Sequence, residues 1–256
     1  MPDYFLDVPY RGIKPRQKGL TILLDAGIAT QRFIDVVHSH HALIDFIKFG
    51  WGTALVTAEL EKKIECLKGM NIGYFFGGTL FEKALHQKKL DEYYAYLKRY
   101  ECKYTEISNG TIDISNVEKC KYIAEFAREF TVFSEVGYKD SVKSENMYPA
   151  KWVECIAQDL AAGAHKVITE SRESGQSGIC RPNGELRYGL IEEIIDASKN
   201  LDDIVFETPT KTLQAFFIKR LGPNVNLGNI AFDDVVGLET LRLSLRADTF
   251  FLPDRK

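Results

Sequence analysis

Four glutamates in this chain close short apolar runs: Glu106 in "KYTEIS", Glu135 in "FTVFSEV", Glu170 in "KVITES" and Glu207 in "DIVFET". Lys48 lies inside an earlier run, "IDFIKF", and Lys139, Arg172 and Lys211 follow within a few residues of the fifth, sixth and seventh runs. An ionised carboxylate at the end of a buried strand is costly unless it is paired or binds a cation. Four such carboxylates beside four cationic side chains fit a site for a metal ion and an anionic ligand. For each glutamate taken singly, a buried ion pair is the alternative. Glycine-containing loops follow the same runs, as "FGWGT", "FGGT", "ESGQSG" and "NLGN", and include Gly78, Gly175, Gly178 and Gly228. Such loops let backbone N–H groups approach an anion closely. Asn109 ends the fourth run, and Asn226 and Asn229 mark the eighth.

The histidines point away from chemistry. His38, His40 and His41 end the first helical stretch, His86 sits in the third loop, and His165 begins the sixth run. No Ser-His-Asp or histidine–metal pattern is readable. A metal here is therefore expected to be hard and oxygen-bound, with Mg²⁺ as the choice, and proton transfer falls to a lysine or a carboxylate.

The elements that must position these residues alternate along the chain. Eight strand-like runs, 20–25, 44–49, 72–76, 103–108, 130–136, 166–171, 203–208 and 224–230, are each followed by a helical stretch. Leu60, Ile64 and Leu67 give helical spacing in 57–69, before Gly69. Ser115 and Glu118 form a capping signature for 115–129, with Val117, Ile123 and Phe126 as its apolar stripe. Further helices are expected over 148–163, 210–221 and 232–246, the last with Val235, Leu238, Leu241 and Leu245 on one side. Strict βα alternation implies parallel strands with right-handed crossovers. Eight units in 256 residues predict an α/β fold, a single-domain (β/α)8 TIM barrel over residues 19–256, with 1–18 as an N-terminal arm. A doubly wound open sheet is the competitor, but "LLDAGIAT" after the first run lacks GxGxxG. In a barrel, the glutamates, the basic residues and the glycine loops singled out above fall toward the C-terminal ends of strands, where barrel chemistry resides.

Composition narrows the class further. With 33 basic against 36 acidic residues the net charge is −3, and basic residues are not clustered, so no nucleic-acid partner is expected. No apolar run approaches the roughly 18 residues of a membrane helix, and the N-terminus has no signal-like apolar core. The five cysteines, 66, 102, 120, 155 and 180, show no CxxC spacing and read as reduced thiols of a cytoplasmic protein.

In chain order, "DFIKFGWGT", "FFGGTLFE", "EISNGTI", "SEVGYKD", "ITESRESGQSGI", "FETPTK" and "GPNVNLGNI" resemble the phosphosulfolactate synthase family from about Lys14 to Phe251. Tyr138 and Thr208 depart from the pattern and remove no charged group. The resemblance implies a TIM barrel that adds sulfite to phosphoenolpyruvate with Mg²⁺, giving (2R)-phospho-3-sulfolactate, the first step toward coenzyme M in methanogens. It implies Lys139 as the acid that protonates an aci-carboxylate intermediate, with Lys48 and Arg172 alongside. Lys211 and the Asn226–Asn229 loop would hold phosphate or sulfite, with Gly78, Asn109, Gly175 and Gly178 also facing substrate. Glu106, Glu135, Glu170 and Glu207 would face the metal. A homo-oligomer is expected. Two alternatives stay open: another phosphate-handling barrel lyase or isomerase, and a stress-associated non-catalytic relative.

Overall fold

Along a barrel strand every second side chain faces the axis, so two residues separate one interior layer from the next. The computed structural model, which describes residues 5–252, is built on that rule. Its strands are β1 Thr21–Asp25, β2 Phe46–Phe49, β3 Gly73–Phe76, β4 Tyr104–Ile107, β5 Thr131–Val136, β6 Lys166–Thr169, β7 Ile204–Glu207 and β8 Leu227–Ile230. All pair in parallel, in the order β3-β2-β1-β8-β7-β6-β5-β4. β3 and β4 lie side by side and nearly close the barrel without a backbone ladder between them. The fold is therefore a single-domain TIM barrel, as the alternation predicts.

The helices are α1 Thr30–His40, α2 Leu60–Gly69, α3 Gly78–His86, α4 Leu90–Arg99, α5 Asn116–Phe126, α6 Ser141–Asn146, α7 Pro149–Ala161, α8 Tyr188–Ala197, α9 Lys211–Leu221 and α10 Val235–Arg242. Their inner faces meet the outer faces of the strands through residues such as Phe33, Leu67, Phe81, Trp152 and Phe217, all fully buried. Ser115 Oγ accepts from Glu118 N–H at 3.1 Å, the cap that the sequence predicts for α5. Two expected stripe residues are corrected. Val117 is exposed, because it falls on the outer side of the first turn of α5 while Ile123 and Phe126 point inward. Leu245 is also exposed, because α10 stops at Arg242. The stretch after β3 holds two helices, α3 and α4, and a short α6 precedes α7.

A second, smaller apolar cluster fills the barrel itself: Ile22, Phe75, Phe133, Ile168 and Val205, with Phe46 and Tyr104 packed against it. Phe75 and Phe133 stack at 4.9 Å between ring centroids. This aromatic layer is the floor on which the polar layer rests.

Of the expected arm, residues 5–18 carry no helix or strand. Arg11 pairs with Glu239 at 3.0 Å and Arg16 with Asp45 at 3.0 Å, tying that segment to α10 and to the start of β2. Residues 1–4 and 253–256, within the expected arm and barrel, lie outside the described residues. No helix among the described residues is long and apolar enough to cross a membrane.

Candidate active site at the mouth of the barrel

Two residues beyond the aromatic floor, each strand offers its next inward side chain. Phe46 leads to Lys48, Tyr104 to Glu106, Phe133 to Glu135, Ile168 to Glu170 and Val205 to Glu207. The pleat of five strands thus converts a row of charges scattered over 160 residues of sequence into one buried layer. All five side chains are buried.

Lys48 Nζ lies 2.9 Å from Glu106 Oε2, 3.1 Å from Glu135 Oε2 and 3.3 Å from Glu207 Oε1. Lys139, from the loop after β5, reaches Glu135 Oε1 at 2.6 Å and Glu170 Oε2 at 2.9 Å. Backbone donors take the remaining oxygens. Gly78 N–H donates to Glu106 Oε1 at 2.6 Å, Arg172 N–H to Glu170 Oε1 at 2.7 Å, and Ser171 N–H to Glu207 Oε2 at 3.0 Å. Glu106 Oε2 and Glu170 Oε2 have an ammonium nearby but no aligned hydrogen bond. Four buried carboxylates therefore share two ammonium groups, and the layer is short of positive charge.

The protonation pattern follows. Burial raises Glu106 to about 7 and Glu207 to about 8, against the pull of Lys48, and Glu170 is raised by burial as well. Burial opposes ionisation of Glu135 too, but Lys139 and Lys48 outweigh it and hold that carboxyl below the usual range. Burial works against both ammonium groups, yet the surrounding carboxylates raise Lys48 and Lys139 well above the ordinary lysine value. Glu135 is the fixed anion and the lysines are fixed cations, whereas burial makes Glu106, Glu170 and Glu207 harder to ionise until more positive charge arrives.

A divalent cation fits that deficit. Oxygens of Glu135, Glu170 and Glu207 all lie within 4.8 Å of one another. The donor set is all carboxylate, which suits a hard ion such as Mg²⁺, and Glu170 brings an oxygen without a hydrogen bond. Glu106, expected with them, stands outside this trio, held by Gly78 and Lys48.

Above the layer is a cleft of about 110 Å³ that Lys48, Lys139, Arg172, Gly78 and Asn229 help to line. Arg172 has φ 55° and its Nη1 sits 3.4 Å from Lys139 O, leaving most of the guanidinium to solvent. Asn229 has φ 57°, and its buried Oδ1 has no hydrogen-bond partner among the described residues.

The other expected substrate-binding positions are not among the residues that line the cleft. Lys211 is exposed at the start of α9 and pairs with Asp248 at 3.1 Å, because the helix turns its side chain outward toward the C-terminal segment. Asn226 precedes β8 and works at the opposite end of the barrel, accepting from Leu20 N–H at 3.0 Å and donating to Asp202 O at 2.8 Å. Asn109 donates to Ile114 O at 3.0 Å and braces its own loop. Gly228 lies inside β8, where a Cβ would meet Val205 Cγ1 at 3.2 Å. Gly175 (φ 65°) shapes the loop after β6, and Gly178 (φ 64°) lets that loop cross Glu170 O, which a Cβ would meet at 1.7 Å. These glycines serve the path of the chain. Cys180, beside them, is buried, and its thiol is pushed up to about 11 by desolvation.

The structure adds Trp51 and Thr79 to the lining of the cleft. The only sequence signal for Trp51 is a bulky residue between two glycines at a strand end. It also separates structural ion pairs from site residues. Asp25, at the end of β1, is bound 2.6 Å from the fully buried Lys63. Lys119, on α5, pairs with Asp159 at 2.7 Å and donates to Glu135 O at 3.0 Å.

A family model described as (2R)-phospho-3-sulfolactate synthase (ComA) matches residues 9–248. A phosphosulfolactate synthase from Bacillus subtilis (strain 168) is 50% identical over 252 residues, covering 98% of this chain and 100% of that one. A phosphosulfolactate synthase from Methanothermobacter thermautotrophicus is 39% identical, covering 96% of each chain. Among solved structures, a 3-hexulose-6-phosphate synthase superposes with TM-score 0.57 at 14% identity, over 87% of this chain and 97% of that one, a likeness of fold.

Proposed function

The chain belongs to the (2R)-phospho-3-sulfolactate synthase family of enzymes, and from that premise we propose that it joins sulfite to phosphoenolpyruvate. The product is (2R)-phospho-3-sulfolactate, with Mg²⁺ held by Glu135, Glu170 and Glu207. The observation that carries the reading is the buried layer itself: an all-oxygen carboxylate trio, two ammonium groups bridging it, and an arginine at the rim. Sulfite is a nucleophile near neutral pH, so the reaction needs no histidine or cysteine base, and none lines the cleft among the described residues.

Sulfite attacks the methylene carbon of phosphoenolpyruvate and forms the carbon–sulfur bond. The electron pair of the double bond moves toward the carboxylate and gives an aci-carboxylate. Mg²⁺, when bound, supplies positive charge for the substrate carboxylate and for the charge that develops on it. Lys139 delivers a proton to the phosphate-bearing carbon from one face, which sets the R configuration. Its raised pKa keeps it an ammonium at neutral pH. Glu135 and Glu170 hold that proton less tightly once their own charge is engaged, which brings the ammonium toward the acidity the step requires. Lys48, fixed by three glutamates, supports the negative charge of the bound substrate from below. Arg172, with its guanidinium free, suits the phosphate or sulfonate oxygens.

The test is direct. Purified protein with phosphoenolpyruvate, sulfite and Mg²⁺ should convert the enol-phosphate resonance in phosphorus NMR to an alkyl-phosphate resonance. EDTA should stop the conversion and Mg²⁺ restore it. Phosphoenolpyruvate left unchanged would remove the reading, and full turnover in metal-free buffer would remove the metal.

A further inference from the structure

Seven residues other than glycine have positive φ among the described residues. Asn71, Lys88, Glu101 and Ser244 follow α2, α3, α4 and α10, where a left-handed residue is an ordinary helix ending. The remaining three are Trp51 (φ 48°), Arg172 and Asn229, and all three line the cleft above the carboxylates. Asparagine tolerates this conformation, whereas a bulky side chain takes it only when its surroundings impose it.

The surroundings of Trp51 do impose it. On one side Gly77 N–H donates to Phe49 O at 2.8 Å. A Cβ on Gly50 would meet Leu24 Cδ1 at 2.8 Å, so the chain passes close to β1 just before the tryptophan. On the other side Thr53 Oγ1 donates to Asp25 O at 3.3 Å, and Ala54 is buried. Gly52 (φ 78°) completes the kink. The result is an indole at the cleft, 46% exposed, whereas the other tryptophan, Trp152, is fully buried. A strained backbone that holds a large apolar ring half in water is unfavourable for the free protein, and strain of this kind gathers at ligand clamps.

We propose that Trp51 is a ligand-contacting residue whose indole closes one side of the cleft over a bound three-carbon phosphorylated acid and keeps bulk water from its reacting carbons. The proposal rests on the functional reading above. The chemistry requires such a wall: a carbanion-like carbon open to solvent would take a proton from either face. The other two rim residues with positive φ, Arg172 and Asn229, bring polar groups suited to the anion, and Trp51 supplies the apolar side.

Trp152→Phe leaves Trp51 as the sole tryptophan. Its emission and its quenching by acrylamide are measured with phosphoenolpyruvate and Mg²⁺ but no sulfite, while calorimetry follows binding separately. The expected result is a blue shift and a loss of quenching that track the binding heat. Binding heat with unchanged quenching overturns the role of Trp51. Absence of heat overturns the functional reading and this proposal with it. Shielding that grows with protein concentration in the absence of ligand puts a second copy over the indole and also overturns it. In the otherwise native sequence, Trp51→Gly relieves the backbone conformation. It should keep or raise Tm, raise KM for phosphoenolpyruvate and blur the single configuration of deuterium incorporated from D₂O. A lower Tm with unchanged KM and stereochemistry makes Trp51 structural.

Discussion

The side chains that carry the proposed chemistry are also the ones that compensate one another's charge, so substitutions must separate the two roles. Lys139→Ala removes the proposed acid and leaves Glu135 with Lys48 alone. Acting after carbon–sulfur bond formation, Lys139 should matter to kcat more than to substrate binding, and general acid catalysis is typically worth about 10²–10⁴-fold. Steady-state kinetics with calorimetry for phosphoenolpyruvate should therefore give a fall in kcat of that size with affinity largely kept. A raised KM with surviving kcat would make Lys139 a phosphate ligand instead. Arg172→Lys keeps the charge and loses the planar fork. KM for phosphoenolpyruvate or sulfite should rise, and Tm should hold, since among the described residues the guanidinium makes one long hydrogen bond, at 3.4 Å to Lys139 O. Unchanged KM for both substrates takes Arg172 out of the site.

At the scale of elements, β5 is held from behind. Lys119 on α5 and Asp159 on α7 form a fully buried pair, Ser134 Oγ donates to Asp159 Oδ2 at 2.7 Å, and Lys119 Nζ donates to Glu135 O. The network joins two helices to the strand that presents Glu135 and leads to Lys139. Lys119→Met leaves Asp159 buried without its cation, a change that costs about 3–5 kcal/mol in comparable cases. Urea denaturation should show a loss of that order, and combining it with Asp159→Leu should recover much of it. Equal stability for the single and wild-type proteins would mean that solvent reaches the pair.

For the whole molecule, the buried layer links stability to pH and to metal. The folded-state carboxyls of Glu106 and Glu207 lie at about 7 and about 8, above their usual value of 4.5, and Glu170 is raised in the same direction. The folded state therefore binds protons more tightly than the unfolded chain between those values. The stability they contribute is full below about pH 4.5 and is lost as pH rises through about 7 to 8. Glu135 has the opposite sign, but its folded value lies below the usual range, so its contribution is already present across this window. Lys48 and Lys139 lose theirs only above the ordinary lysine range. Thermal unfolding in EDTA should give a Tm that falls from pH 5 to pH 8. Mg²⁺ should raise Tm more at pH 8 than at pH 5, because it binds the ionised carboxylates. A Tm that rises across this window in EDTA would contradict the pattern.

The order of apolar runs and helical stretches was enough to specify the barrel, since eight βα units in one chain have few ways to close. It was also enough to mark Lys48 and the four glutamates, because a charge at the end of a buried strand is conspicuous in one dimension. What the sequence could not carry is where a loop side chain points. Lys211 and Asn226 carry suitable groups at nearly the right positions, yet one pairs outward with Asp248 and the other holds the opposite end of the barrel. Glu106 reads like its three counterparts, but the backbone of Gly78 across the seam between β3 and β4 claims one of its oxygens. Trp51 was hidden because its meaning lies in a positive φ, a torsion fixed by contacts with β1 and β3. Local pattern determined which strands carry charge, because the pleat has a fixed period of two. Only tertiary packing decided which of those charges meet, because loop torsions and cross-strand hydrogen bonds have no period to read.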